Sequence, residues 1–86
     1  MTWHVFVASS ATKFVRRLPN KDAARIKFVL EKEFPRDPYV GDIQKLGGQE
    51  NVWRRRVGSY RIFFEVYPSL QKIHVFDVDR RTSNTY

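Results

Sequence analysis

The C-terminal part of the chain alternates short strand-like segments with turn residues, and this pattern restricts the fold more than any other feature. Three segments rich in β-branched and aromatic residues, 51–57, 60–67 and 71–78, are separated by Gly58-Ser59 and by Pro68-Ser69-Leu70. Connections of that length join antiparallel neighbours. The pattern therefore predicts a meander of three antiparallel strands.

The first half of the chain predicts one more strand and two helices. Residues 3–8 have the β-branched and aromatic content of a strand, and apolar residues recur at helical spacing from Ala11 to Leu18 before Pro19. A second helix is expected from Asn20 to Phe34, and the Pro- and Gly-rich segment 35–50 is expected to be a connecting loop. The predicted order is β-α-α-β-β-β, an α+β fold with a mainly antiparallel sheet and both helices packed on one face.

Length and composition narrow the class of protein. A chain of 86 residues supports one core, so residues 1–86 are expected to form a single domain. The formal net charge of +7 favours a polyanionic partner, and the lack of cysteine excludes disulfides and thiolate zinc sites. No apolar stretch approaches the roughly 20 residues that span a bilayer, and no leader pattern precedes the first strand. We therefore expect a cytoplasmic protein with no membrane partner.

Arginine is concentrated where the meander begins. The sequence Trp-Arg-Arg-Arg-Val-Gly-Ser-Tyr-Arg runs from Trp53 to Arg61. Side chains alternate between the faces of a strand, so Arg54 and Arg56 share one face, and Arg61 is expected on the same side, away from the helices. Arg55 points the opposite way and is expected to belong to the scaffold at the sheet margin.

This open face has two interpretations. Long charged side chains on a strand are typical of a plain solvated surface. However, Phe63 is expected beside Arg61, Arg80 or Arg81 is expected to reach the same face, and Tyr86 adds another ring. Guanidinium groups match phosphate, and aromatic rings among arginines stack the bases of single-stranded RNA. The combination favours a polyanion site.

At these residues the chain resembles the RelE/ParE superfamily of type II toxin–antitoxin toxins, and more specifically its RelE-type ribonuclease branch. The resemblance rests on the helical hairpin, on Leu46-Gly47-Gly48, on the block Trp-Arg-Arg-Arg-Val-Gly-Ser-Tyr-Arg-Ile, and on Asp77-Val78-Asp79-Arg80-Arg81 with Tyr86 beyond. It implies a small α/β sheet fold, cleavage of messenger RNA in the ribosomal decoding site, and neutralisation by a cognate antitoxin. The expected partners are therefore an acidic antitoxin protein, mRNA and the ribosome, with no cofactor.

The resemblance also implies catalytic roles for five residues. Arg54 and Arg56 match basic positions of which one is proposed as general base, and Arg61 matches the arginine that holds the scissile phosphate. Arg81 matches a basic residue proposed to stabilise the transition state or protonate the leaving 5′ oxygen. Tyr86 matches a tyrosine that stacks on a base and orients the attacking 2′-OH.

Three further residues are expected to contact RNA, namely Arg80, Phe63 and Arg55. The chain departs from the family at the base, because it has arginine where lysine is frequent. The pKa of arginine, above about 12, opposes proton abstraction at neutral pH. The implied enzyme is therefore slow, or it depends on ribosomal RNA groups to complete its site.

The other polar side chains favour plainer interpretations. His4 and His74 lie in strands far apart in sequence, and neither is assigned a role. Glu65 could act as a general base beside Arg61, although a cross-strand pair is the commoner situation. Asp77 and Asp79 with Glu65 could suggest a metal site, but the surrounding cations would oppose a divalent ion, so no metal is predicted.

Two other functions stay open at this point. One is a non-catalytic toxin like the ParE branch, which inhibits DNA gyrase by protein contact and lacks the basic set found here. The other is an RNA-binding module that uses the same face without turnover. Incubation with translating ribosomes distinguishes the three, since only the ribonuclease produces codon-linked cuts in mRNA.

Overall fold

The computed structural model describes residues 2–48 and 50–80. Strand β1 (His4–Val7) leads into helix α1 (Ser9–Arg16) and helix α2 (Asn20–Phe28). Three short or medium strands follow, β2 (Ile43–Lys45), β3 (Val52–Val57) and β4 (Tyr60–Tyr67), and a 3-10 turn at Pro68–Leu70 leads to β5 (Lys72–Arg80). The meander is therefore confirmed within one or two residues at each end.

The strands form one sheet in the order β1-β5-β4-β3-β2. Strand β1 pairs with β5 in parallel, and every other pair is antiparallel. Because an apolar sheet face has to be covered, both helices pack on the side formed by Ile62, Phe64, Val75 and their neighbours. The predicted α+β fold with both helices on one face of a mainly antiparallel sheet is confirmed.

Segment 35–50 was predicted to be a connecting loop, but part of it forms a strand. Its residues Ile43–Lys45 pair with Trp53–Arg55 of β3 and add a fifth strand at the sheet edge. The prediction was wrong because three residues are too few to display an alternating pattern. The added strand matters because it covers the free edge of the arginine-bearing strand.

Helix α2 continues into one π-helical turn at Val29–Glu33 before Pro35 ends it. The amide of Phe34 donates to the carbonyl of Val29 at 2.8 Å, which widens the turn by one residue. Phe34 is thereby fully buried against Phe64, with ring centroids 4.6 Å apart. The same turn directs Glu33 toward β3.

The face of the sheet opposite the helices, termed the open face below, is bent by a β-bulge. The register of β4 against β5 shifts by one residue between Phe64, which pairs with Val75, and Phe63, which pairs with Asp77. Phe76 is thus the extra residue of β5.

In the described ranges, no helix is long and apolar enough to cross a membrane.

Candidate functional site: a basic and aromatic sheet face

The open face collects three of the predicted arginines. In the β3–β4 register Arg54 lies opposite Phe63 and Arg56 lies opposite Arg61. Their neighbours Ile62 and Phe64 are fully buried on the helix side, so strand alternation directs the three arginines and Phe63 outward. The orientation derived from the sequence therefore agrees with the structure, and the catalytic roles of these residues stay predictions.

Arg61 is held by a carboxylate. Its Nε donates to Oδ1 of Asp79 at 2.9 Å and its Nη2 donates to Oδ2 at 3.1 Å, which makes a two-pronged ion pair. The guanidinium also lies 5.7 Å from the ring centroid of Phe63. Carboxylate and phosphate offer a guanidinium the same planar pair of oxygens. Asp79 thus accepts the two guanidinium hydrogen bonds that Arg61 could otherwise donate to another oxyanion.

Arg54 and Arg56 are held more loosely. Arg54 Nη2 donates to Oε1 of Gln44 on β2, and this neutral partner leaves the positive charge uncompensated. Arg56 Nε lies 3.9 Å from Oδ2 of Asp42, and both side chains are well exposed. An exposed pair at that distance contributes little, so Arg56 remains accessible to an anion.

Arg55 does not lie on the open face, so its surroundings agree with the scaffold assignment, and its contact with RNA stays an untested prediction. Arg55 faces the helices, donates from Nη2 to Oε1 of Glu33 at 2.7 Å and from Nη1 to the carbonyl of Val40 at 3.1 Å, and is only 11% exposed. The loop approaches so closely that a Cβ at Gly41, whose φ is +90°, would lie 2.5 Å from the guanidinium. Arg55 therefore connects β3, the π-helical turn and the loop, and does not contribute to the open face.

Either Arg80 or Arg81 was expected to reach the open face, and Arg80 does not reach it. Arg80 pairs with Tyr60 in the sheet register, and its guanidinium lies 5.9 Å from the Tyr60 ring on the helix side. Tyr60 in turn donates to Oδ2 of Asp22 at 2.8 Å, and this hydrogen bond, with burial, raises the pKa of Tyr60. Arg81 and Tyr86 lie outside the described residues.

The open face holds residues that the sequence analysis did not assign to it. Phe76, at the bulge, lies between Phe63 and His74, and the Nδ1 of His74 is 2.9 Å from Oε1 of Glu65. The cross-strand interpretation of Glu65 therefore agrees with the structure, although its partner is His74. Next to this pair, burial and the negative charge of Glu65 raise the pKa of Tyr67.

A signal for the carboxylate partner of Arg61, Asp79, was present in the sequence. Asp77 and Asp79 alternate at the end of the last strand, as residues of one face do. Which face they occupy depends on the bulge, which the sequence does not reveal.

Among residues 2–48 and 50–80, no three His, Asp or Glu side chains come together as metal ligands.

The structure is similar to solved toxins. No protein-family model matches the sequence, and no curated protein matches it. The RelBE2 toxin–antitoxin complex of Mycobacterium tuberculosis matches 94% of this chain and 93% of that chain with a TM-score of 0.81 at 18% identity. The isolated E. coli RelE toxin matches 95% and 87% with a TM-score of 0.78 at 18% identity. The RelB–RelE complex of Methanococcus jannaschii matches 87% and 88% with a TM-score of 0.72 at 29% identity.

Proposed function

We propose that this chain, which has the fold of the RelE-type toxins and belongs with them structurally, is the toxin of a type II toxin–antitoxin system. We further propose that it cleaves messenger RNA on the translating ribosome, in the cytoplasm. The observation that carries the proposal is the convergence of Arg54, Arg56 and Arg61 on the open face of this fold. The RelBE complexes among its structural neighbours support a RelB-like antitoxin as partner.

The proposed reaction uses the RNA as its own nucleophile. The 2′-OH attacks the adjacent phosphorus in line, the 2′-O–P bond forms, and the P–O5′ bond breaks. The 2′ proton goes to a base and the leaving 5′ oxygen acquires a proton, which yields a 2′,3′-cyclic phosphate and a 5′-OH. The protein accelerates this step by holding the phosphate in line and by neutralising the charge that develops on it.

Arg61 is the residue best suited to hold the phosphate. It lies near the start of β4, the central strand of the sheet, and its two-pronged contact with the Asp79 carboxylate supports an ability to bind an oxyanion through two hydrogen bonds. Arg54 and Arg56 lie on the neighbouring strand and add positive charge on the same side. Arg81 and Tyr86 keep the roles that the resemblance implies, as predictions.

The proton acceptor is the slow part of the proposed reaction. Arginine stays protonated at neutral pH, so neither Arg54 nor Arg56 abstracts the 2′ proton efficiently. Groups of the ribosomal RNA are proposed to complete the site. The chain is therefore expected to act slowly, or not at all, on RNA free of ribosomes.

Inducible expression followed by mapping of mRNA 5′ ends tests the proposal. Wild-type chain should arrest growth and produce cuts in phase with codons, and Arg61→Ala should abolish both. Arg36→Ala removes an exposed arginine from the turn after α2 and should keep full activity as the matched control. Arrest without mRNA cuts but with inhibited supercoiling would support gyrase as the target and contradict the ribonuclease.

A further inference from the structure

Aromatic rings form a row on the open face next to Arg61. The ring centroids of Phe63 and Phe76 are 6.3 Å apart with planes at 38°, and those of Phe76 and His74 are 6.3 Å apart at 46°. All three side chains are half-buried and thus present part of their surface to solvent. The ring row, defined as Phe63, Phe76 and His74, crosses from β4 to β5.

A shallow depression lies beside the middle ring. It has a volume of about 480 Å³ and is lined by Leu46, Val52, Glu65 and Phe76. Three of its walls are apolar, and the fourth is a carboxylate whose Oε1 lies 2.9 Å from the His74 ring nitrogen. Such a surface accepts a flat group with an apolar face and a polar edge.

Cations flank the ring row at both ends. The Arg61 guanidinium lies 5.7 Å from the Phe63 centroid at one end. At the other end Phe6 is the register partner of His74, is 52% exposed, and has the Lys72 ammonium 5.4 Å from its centroid. The ligand that fits this order carries flat rings with a negative charge on either side of them.

We infer that the ring row is a stacking subsite for the bases of single-stranded RNA, next to the phosphate that Arg61 holds. This inference deepens the proposed function and rests on it, because the proposed function identifies the bound RNA as messenger RNA. Base stacking on aromatic side chains between backbone-binding cations is how proteins bind single strands. An apolar peptide could cover the rings but would bring no anion to Lys72 or to the exposed guanidinium of Arg56, so the arrangement favours RNA.

Fluorescence anisotropy with two labelled probes tests the subsite. The first probe is a 2′-O-methylated oligoadenylate of about ten nucleotides, which lacks the nucleophilic hydroxyl, and the second has the same backbone with abasic positions in its centre. Wild-type chain should bind the base-bearing probe about five- to tenfold more tightly than the abasic probe. Phe76→Leu should lose that difference while it keeps the affinity for the abasic probe.

Phe28→Leu is the matched control. Phe28 is the last residue of α2 and is 56% exposed, and α2 packs on the helix side of the sheet, opposite the open face. Its replacement should leave the difference between the probes unchanged. Phe63→Leu provides a second ring variant, and equal unfolding midpoints in urea identify the variants that keep the fold.

The subsite is overturned if wild-type chain binds both probes equally, or if folded ring variants keep the wild-type preference for bases. It is also overturned if Phe28→Leu loses as much as Phe76→Leu, because the effect would then not belong to the open face. A chain that prefers bases through Phe76 but cuts no mRNA on ribosomes contradicts the proposed function and leaves the subsite standing. A chain that makes codon-linked cuts but shows no ring-dependent preference for bases supports the proposed function and contradicts the subsite.

Discussion

Replacement of Asp79 by asparagine is expected to strengthen the binding of RNA by releasing Arg61. In the structure this carboxylate accepts two hydrogen bonds from the guanidinium, at 2.9 Å and 3.1 Å. A phosphate that binds Arg61 must displace or share them. Asparagine keeps the shape of the side chain but loses the charge, so the competition for Arg61 weakens.

The size of the effect follows from the exposure of the ion pair. The side chains of Arg61 and Asp79 are 31% and 39% exposed, so the solvent screens their attraction. Ion pairs of this kind contribute about 0.2–1 kcal/mol, and two-pronged geometry favours the upper end of that range. An energy of about 1 kcal/mol corresponds to roughly a fivefold change in affinity. Asp79→Asn should therefore bind RNA up to about fivefold more tightly.

The assay is anisotropy with the 2′-O-methylated oligoadenylate, and Asp77→Asn is the control. Asp77 lies two residues earlier on β5, is exposed, and pairs with Phe63 and not with Arg61. Its replacement by asparagine makes the same change in net charge without releasing Arg61. It should strengthen binding by less. In an Arg61→Ala background, Asp79→Asn should give no more than the Asp77→Asn effect, because the residue to be released is absent.

Two results would refute this reasoning. Equal gains from Asp79→Asn and Asp77→Asn would mean that net charge alone acts and that the ion pair does not compete with phosphate. Weaker binding by Asp79→Asn would mean that the carboxylate is needed to orient Arg61 for the RNA. Both results can be recognised when each dissociation constant is measured to within about twofold.

Three further predictions concern the scaffold and are measured by urea unfolding. Arg55→Ala should lower the free energy of unfolding by about 1–3 kcal/mol, because it removes a guanidinium that bonds a carboxylate and a carbonyl while almost buried; an unchanged midpoint would contradict its scaffold role. Gly41→Ala should cost about 1–3 kcal/mol because of its φ of +90° and the close guanidinium, whereas Gly47→Ala, with open space around it, should stay within about 0.5 kcal/mol of wild type. The hydrogen bond to Asp22 raises the pKa of Tyr60 above its ordinary value of 10.0. The stabilisation by this hydrogen bond is therefore complete below pH 10.0 and is lost as the pH rises through the raised pKa. Tyr60→Phe should have a lower free energy of unfolding than wild type at neutral pH, and its free energy of unfolding should fall less than that of wild type above pH 10.0.

The local pattern of the sequence was enough to predict the meander and the direction of its arginines. Gly58 has a φ of +59° at the first position of a two-residue turn, and Val57 pairs directly with Tyr60. A turn of known length sets the register, and the register determines that Arg54, Arg56 and Arg61 share a face. Strand alternation therefore predicted these three orientations.

The partners of these arginines could not be predicted in the same way. Without the bulge at Phe76, strand alternation would turn Asp79 toward the helices, and Arg61 would have no carboxylate beside it. Arg55 was difficult for a related reason, since its partner Glu33 lies on a π-helical turn far away in sequence. Contacts of this kind arise from irregularities in the backbone, and periodic patterns do not reveal them.

The parallel pairing of β1 with β5 has a consequence for when the protein can fold. Strand β1 is synthesised before the other strands, but its partners, Lys72–Val75, belong to the last strand of the described chain. Contacts between segments so distant in sequence form late, since the intervening chain must be ordered first. During synthesis the sheet can close only after translation has passed through β5. For a protein proposed to act on translating ribosomes, the sheet that carries the proposed site is therefore incomplete for as long as β5 has not been synthesised.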